Sequence, residues 1–142
     1  MDTSNVGAIF RNAAALGVDA VIVAPTCADP LCRRSVRVSM GTILQIPFVK
    51  VEGVWPYTLF NKLNEYGFYS IALALKDDSI NLDNPSIKEH KKIAMFFGCE
   101  GTGLTPKCLD MCDQTVIIPM AHNVDSLNVA ASSAITFWEL CK

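Results

Sequence analysis

Apolar residues recur along the chain in two rhythms. Near the start, Val6, Ile9, Ala13 and Leu16 lie three or four residues apart, which predicts a helix over Val6–Leu16. Asn5 is placed to cap it, and Gly17 to end it at the left-handed C′ position. Ala20–Ala24 is a short, wholly apolar run stopped by Pro25, the pattern of a buried parallel strand. Phe48–Val51, Phe68–Leu75, Ile93–Phe97 and Thr115–Ile118 repeat the strand type. Between them lie helical segments: Cys32–Met40 ended by Gly41, Pro56–Tyr66 closed by Gly67, a short helix opened by Thr105 and Pro106, and Leu127–Cys141. Asp77–Lys92, Gly98–Thr105 and Pro119–Ser126 read as loops. Strands alternating with helices predict an α/β fold with a mainly parallel sheet flanked by helices. With no repeat, low-complexity tract or linker, residues 1–142 read as one domain.

Composition narrows the picture. Of 142 residues, 51% are apolar and 18% charged, which sustains a core and excludes intrinsic disorder. Twelve Lys and Arg against fourteen Asp and Glu leave a net charge of −2, which argues against a sequence-blind, histone-like nucleic-acid binder. No apolar run is long enough for a membrane span, and Met1–Asn5 has neither the charge nor the apolar stretch of a signal peptide. The expectation is a soluble, cytoplasmic protein. Cys27, Cys32, Cys99, Cys108, Cys112 and Cys141 match no common zinc spacing, so free thiols and no metal are expected.

Ligands of parallel α/β sheets sit beyond the carboxyl ends of the strands. The unusual residues fall there: Gly98–Leu104, Pro119–Asn128 and the turn after Leu73. The first loop, Gly98-Cys99-Glu100-Gly101-Thr102-Gly103-Leu104, has neither the glycine order of a dinucleotide site nor the Lys-Ser/Thr of a phosphate loop. An acid inside the turn repels phosphate, which disfavours a nicotinamide-dependent oxidoreductase. The sulfonium and ammonium of S-adenosylmethionine suit the loop better. Alone, it is more simply a tight turn whose glycines serve positive φ. Likewise, Ser126 or Asn128 in the second loop is by itself a helix cap, and Arg11 a solvated arginine. On a helix, Asn5 and Arg11 lie on different faces, being about 600° apart.

In order along the chain, Asn5-Val6-Gly7-Ala8-Ile9-Phe10-Arg11, Phe97 through Leu104, and Ile118-Pro119-Met120 through Ser126-Leu127-Asn128-Val129 resemble the three motifs of the SpoU/TrmH family. These are RNA 2′-O-ribose methyltransferases of the SPOUT superfamily, and the resemblance covers essentially the whole chain. It implies an α/β fold with a C-terminal trefoil knot, S-adenosylmethionine as cofactor, tRNA or rRNA as substrate, and a homodimer. Residue by residue, it implies that Arg11 accepts the ribose 2′-hydroxyl proton with help from a substrate phosphate, or stabilises the alkoxide. Asn5 supports that arginine, Glu100 supports the site, and Ser126 and Asn128 order the third motif and substrate. Gly98, Ile118 and Leu127 match backbone contacts to the cofactor, and Leu75 and Met120 are further candidates for its adenine pocket. The chain departs from the family at its start. The strand that usually precedes the motif-one asparagine is absent or lies upstream of Met1.

RNA also requires phosphate contacts. Arg33, Arg34 and Arg37 form the densest basic cluster and Lys88, Lys91 and Lys92 the second, with a solvated helix face as the competing reading. Trp55, Tyr57 and Phe60 stack bases or, more simply, pack on the core. The competing function class is a non-catalytic, knotted module that binds cofactor or RNA. Such a module does not need Asn5, Arg11, Glu100 and Asn128 together.

Overall fold

The computed structural model describes residues 1–99 and 101–142. They form an α/β fold of parallel sheets and helices, divided into two compact units. The first comprises residues 1–52 and 128–142, and the second residues 53–127.

In the first unit, α1 spans Thr3–Ala15, and its buried positions Val6, Gly7, Phe10 and Ala13 keep the expected helical spacing. The cap differs from expectation. Asp2, not Asn5, caps α1, because the Asp2 carboxylate accepts the Asn5 N–H at 2.8 Å and so extends the helix through Thr3 and Ser4. Gly17, at φ +84°, ends it as expected. Strands β1 (Val21–Val23) and β2 (Phe48–Lys50) pair in parallel, Val21 opposite Phe48. The wholly buried strand expected at Ala20–Ala24 is a correction. Only Val21–Val23 is extended, and Ile22 is 44% exposed, because the two-stranded sheet has a covered and an open face. The basic segment forms α2 (Arg33–Val38). It lies close on α1: a Cβ at Gly7 would stand 2.7 Å from the Ser35 carbonyl oxygen, and the Ser35 hydroxyl donates to the Thr3 carbonyl at 3.0 Å. The closing helix, α6, spans Val129–Cys141, two residues shorter than expected at its start. The Asn128 side chain caps it by accepting the Ala130 N–H at 2.8 Å.

The second unit holds α3 (Tyr57–Glu65), β3 (Tyr69–Leu73), β4 (Ile80–Asn81), α4 (Pro85–Lys88), β5 (Ile93–Phe96), α5 (Pro106–Met111) and β6 (Gln114–Ile117). Its four strands are all parallel, in the order β4-β6-β3-β5. The segment 77–92, expected as loop, contains β4 and α4. Asn84 caps α4 and Pro85 opens it, while Leu82 and Ile87 bury into the core and supply the apolar anchors. Thr105 and Pro106 open α5 as expected, the Thr105 hydroxyl accepting the Cys108 N–H. Leu59, Phe60, Leu63, Ile71, Ala72, Phe96 and Val116 fill the interior.

Candidate active site

Three neighbouring strands of the second unit end together. β3 lies between β5 and β6, with Ala72 opposite both Phe96 and Thr115, so the chain leaves all three at one edge. The loops emerging there carry Leu75, Gly98 and the Ile118–Leu127 segment.

Beyond β5 the chain folds back on itself. Cys99 and Gly103 form an antiparallel bridge, the Gly103 N–H donating to the Cys99 carbonyl at 2.8 Å. Gly101 and Gly103, at φ +82° and +65°, serve backbone conformation, as a tight turn requires. Gly98 is different. Its φ is ordinary, but a Cβ there would stand 2.3 Å from the Gly103 carbonyl carbon and 2.4 Å from the Leu104 nitrogen. The loop closes only because position 98 carries no side chain. Glu100 lies outside the described residues.

Beyond β3 the turn is held by a residue that the sequence reading passed over. The Ser79 hydroxyl donates to the Ala74 carbonyl at 2.9 Å, accepts the Lys76 N–H at 3.1 Å, and stands 3.0 Å from the Thr115 hydroxyl. It fixes the turn on which Leu75 sits, 67% exposed. The polar run Lys76-Asp77-Asp78-Ser79 after an apolar strand was the available signal.

Beyond β6, Ile118 and Met120 are half-buried, whereas Ser126, Leu127 and Asn128 are exposed. His122 and Asn123 both have positive φ, 56° and 59°, in a turn closed by the Val124 N–H on the Ala121 carbonyl at 3.2 Å. Of the two expected cap candidates, Asn128 is the cap and Ser126 is not.

In the first unit, Arg11 is exposed on α1 and Asn5 is half-buried. Six helical residues separate them by about 9 Å along the axis and on different faces. Asn12, next to Arg11, donates from its amide to the Ala130 carbonyl at 2.8 Å and lies 2.9 Å from the Ser133 hydroxyl. This brings the Arg11 end of α1 to the first turn of α6, which Asn128 caps. Arg33, Arg34 and Arg37 are all exposed on α2. Asn5, Arg11, Arg33, Arg34, Arg37 and Asn128 thus belong to the first unit, and Leu75, Gly98, Ile118, Met120, Ser126 and Leu127 to the second.

None of the six cysteines is joined in a disulfide. Burial pushes the Cys112 thiol up to about 12, with the neighbouring Cys108 adding to the effect. Among the described residues, no group of three or more His, Cys, Asp or Glu is placed to hold a metal, and no helix is long and apolar enough to cross a membrane.

Comparison with known proteins gives concordant results. Residues 1–138 match the model of the SpoU rRNA Methylase family. An uncharacterized tRNA/rRNA methyltransferase of Mycobacterium tuberculosis is 45% identical over 97% of this chain and 48% of its own length. A 23S rRNA (guanosine-2′-O-)-methyltransferase of Acinetobacter baylyi is 30% identical over 99% of this chain and 56% of its own. The chain therefore spans about half the length of the curated relatives it matches. Among solved structures, the SpoU methyltransferase AviRb of Streptomyces viridochromogenes, in complex with AdoMet, superposes with a TM-score of 0.86 at 28% identity, covering 99% of this chain and 56% of that one.

Proposed function

Because the chain belongs to the SpoU rRNA methylase family, we propose that it transfers a methyl group from S-adenosylmethionine to the 2′-hydroxyl of a ribose in tRNA or rRNA. The observation that carries this reading is the closed loop at Gly98, on the edge where β3, β5 and β6 end. That closure holds the backbone of the Gly98–Leu104 turn at the carboxyl edge of the strands, where ligands of parallel α/β sheets bind. Between Gly98 and Leu104 the sequence offers an acid and no base, which suits a cationic ligand over a phosphate chain. Bound there, S-adenosylmethionine supplies a methyl group already activated by its sulfonium.

The protein's own residues then have to position the acceptor and manage its proton. Gly98, Ile118 and Leu127 hold the cofactor through their backbone, and Leu75 and Met120 flank its adenine. Arg11 faces the ribose hydroxyl. Guanidinium is protonated at rest, so Arg11 either passes a proton to a substrate phosphate oxygen and, transiently neutral, takes the hydroxyl proton, or stays cationic and stabilises the developing alkoxide. Asn5 and Glu100 support that arrangement, and Ser126 and Asn128 order the third motif. Arg33, Arg34 and Arg37 offer phosphate contacts to the RNA.

Two features of the assembly belong to the same proposal. The chain carries the family's trefoil knot. What supports it is the match of residues 1–138 to the family. An experimental structure whose backbone straightens when drawn from both ends would contradict it. The functional unit is a homodimer using α1 and α6, supported by Ile135 and Trp138, which stand 40% and 61% exposed on α6.

Two measurements test the activity. Calorimetry should show binding of S-adenosylhomocysteine and none of NAD, and the reverse result would overturn the cofactor assignment. Ribose-methylation maps of total RNA from cells with and without the gene should differ at discrete positions. Identical maps, with S-adenosylhomocysteine still bound, would make the chain a non-catalytic binding module.

A further inference from the structure

The structure separates the three aromatic residues at the start of α3. Phe60 is 1% exposed and stacks on Phe96, with ring centres 5.0 Å apart and planes within 4°. It is core. Trp55 is half-buried. Tyr57 remains 41% exposed, so packing does not account for it.

Its place in the fold is specific. α3 turns at Gly67 into β3, so its first residues point toward the carboxyl ends of the strands. Phe60 is level with Phe96, the last residue of β5. Tyr57, three residues earlier, projects about 4.5 Å further out, to the level of the loop at Gly98. Lys107, in the first turn of α5, meets it there, its ammonium donating to the Tyr57 hydroxyl. That ammonium stands 4.9 Å from the ring centre. Bonded to the hydroxyl at that distance, it lies toward the oxygen end of a ring that stays 41% exposed. The hydrogen bond also raises the Lys107 pKa above its ordinary value, so the group stays cationic at neutral pH. A tethered, exposed ring and a fixed positive charge therefore flank the loop assigned to the cofactor, and neither has a part in the chemistry described above.

We propose that Tyr57 and Lys107 form a nucleotide subsite, in which an unpaired RNA base stacks on the Tyr57 ring and Lys107 meets an adjacent phosphate. The proposal rests on the RNA methyl-transfer reading and sharpens it. A base in an A-form duplex is already stacked and is not free to lie on a side chain, so the target ribose belongs to a loop, bulge or single strand.

The test is fluorescence anisotropy with a labelled single-stranded oligoribonucleotide and with the same sequence as a duplex, at several salt concentrations. The protein should bind the single strand more tightly. Tyr57→Ala should weaken that binding roughly 5- to 100-fold and erase the preference over duplex, while Tyr57→Phe should keep most of the affinity. Lys107→Gln should weaken binding and flatten its salt dependence by about 0.7 in log–log slope. All three should bind S-adenosylhomocysteine like the unmodified protein, and melting curves check that they fold. Tyr57→Phe and Lys107→Gln keep the test open if Tyr57→Ala does not fold. Affinities within twofold of the unmodified protein in Tyr57→Ala and Lys107→Gln overturn the subsite, as does equal binding of single strand and duplex. If those variants behave as expected but the unmodified protein transfers no methyl group, the subsite stands and the activity falls.

Discussion

At the residue scale, Gly98 and Cys112 illustrate two kinds of constraint. A methyl group at position 98 would overlap backbone atoms, which cannot yield as a flexible side chain would. Gly98→Ala should therefore cost about 1–3 kcal/mol of stability and open the loop. It should weaken S-adenosylhomocysteine binding at least tenfold, measured by calorimetry beside a melting curve. Unchanged affinity would separate this loop from the cofactor. Cys112 is pushed up from 9.0 to about 12, chiefly by burial. Its folded pKa lies above its unfolded one, so its contribution to stability is complete below pH 9 and is lost as pH rises toward 12. At pH 8, iodoacetamide should spare Cys112 in the native protein and label it in urea, as read by peptide mass spectrometry. Equal labelling in both states would contradict that burial. The sequence showed the glycines at 98, 101 and 103 but not their different duties. Positive φ at Gly101 and Gly103 is local, whereas the crowding at Gly98 arises from residues five and six positions away that return to it.

At the scale of elements, the helices and strands with strong periodicity were legible in the chain, and the short ones were not. α4 and β4 have too few residues to show a period, and their anchors, Leu82 and Ile87, are recognisable only once the core is assembled. Asn5 passes for a cap in the sequence because caps are judged by residue type, while the structure shows that Asp2 already satisfies its N–H. Pairings between distant elements are equally hidden. Ser70 in β3 and Asp113 before β6 bind each other reciprocally. The Ser70 N–H and hydroxyl donate to the Asp113 carboxylate at 2.8 and 3.1 Å, and the Asp113 N–H donates to the Ser70 hydroxyl at 3.0 Å. Ser70→Ala leaves that N–H unpaired beside a buried position and should cost about 1–3 kcal/mol in urea denaturation. A change below about 0.5 kcal/mol would mean that the tie does not hold the strands.

For the whole molecule, the parallel α/β class followed from the alternation of strands and helices. The grouping of residues 128–142 with residues 1–52 did not, because no shift in composition marks either junction. That grouping depends on long-range contacts such as those from Asn12 to Ala130 and Ser133. It also bears on assembly. Buried Ser133 and Thr136 turn their hydroxyls to carbonyls of α6 itself, while Ile135 and Trp138 stay outside. In the proposed homodimer, light scattering at micromolar concentration should give twice the chain mass, and Trp138→Glu should lower it toward the monomer. A monomeric mass for the unmodified protein would contradict the assembly. The central claim, ribose methylation dependent on Arg11, is tested most directly by single-turnover methyl transfer to RNA at saturating cofactor, with the product nucleosides identified by mass spectrometry. The unmodified protein should yield a 2′-O-methyl nucleoside. Arg11→Ala should fall on the order of 10²–10³ in rate, with S-adenosylhomocysteine affinity within a few-fold and stability within about 0.5 kcal/mol. Near-normal turnover by Arg11→Ala, or methyl groups found on bases, would contradict it.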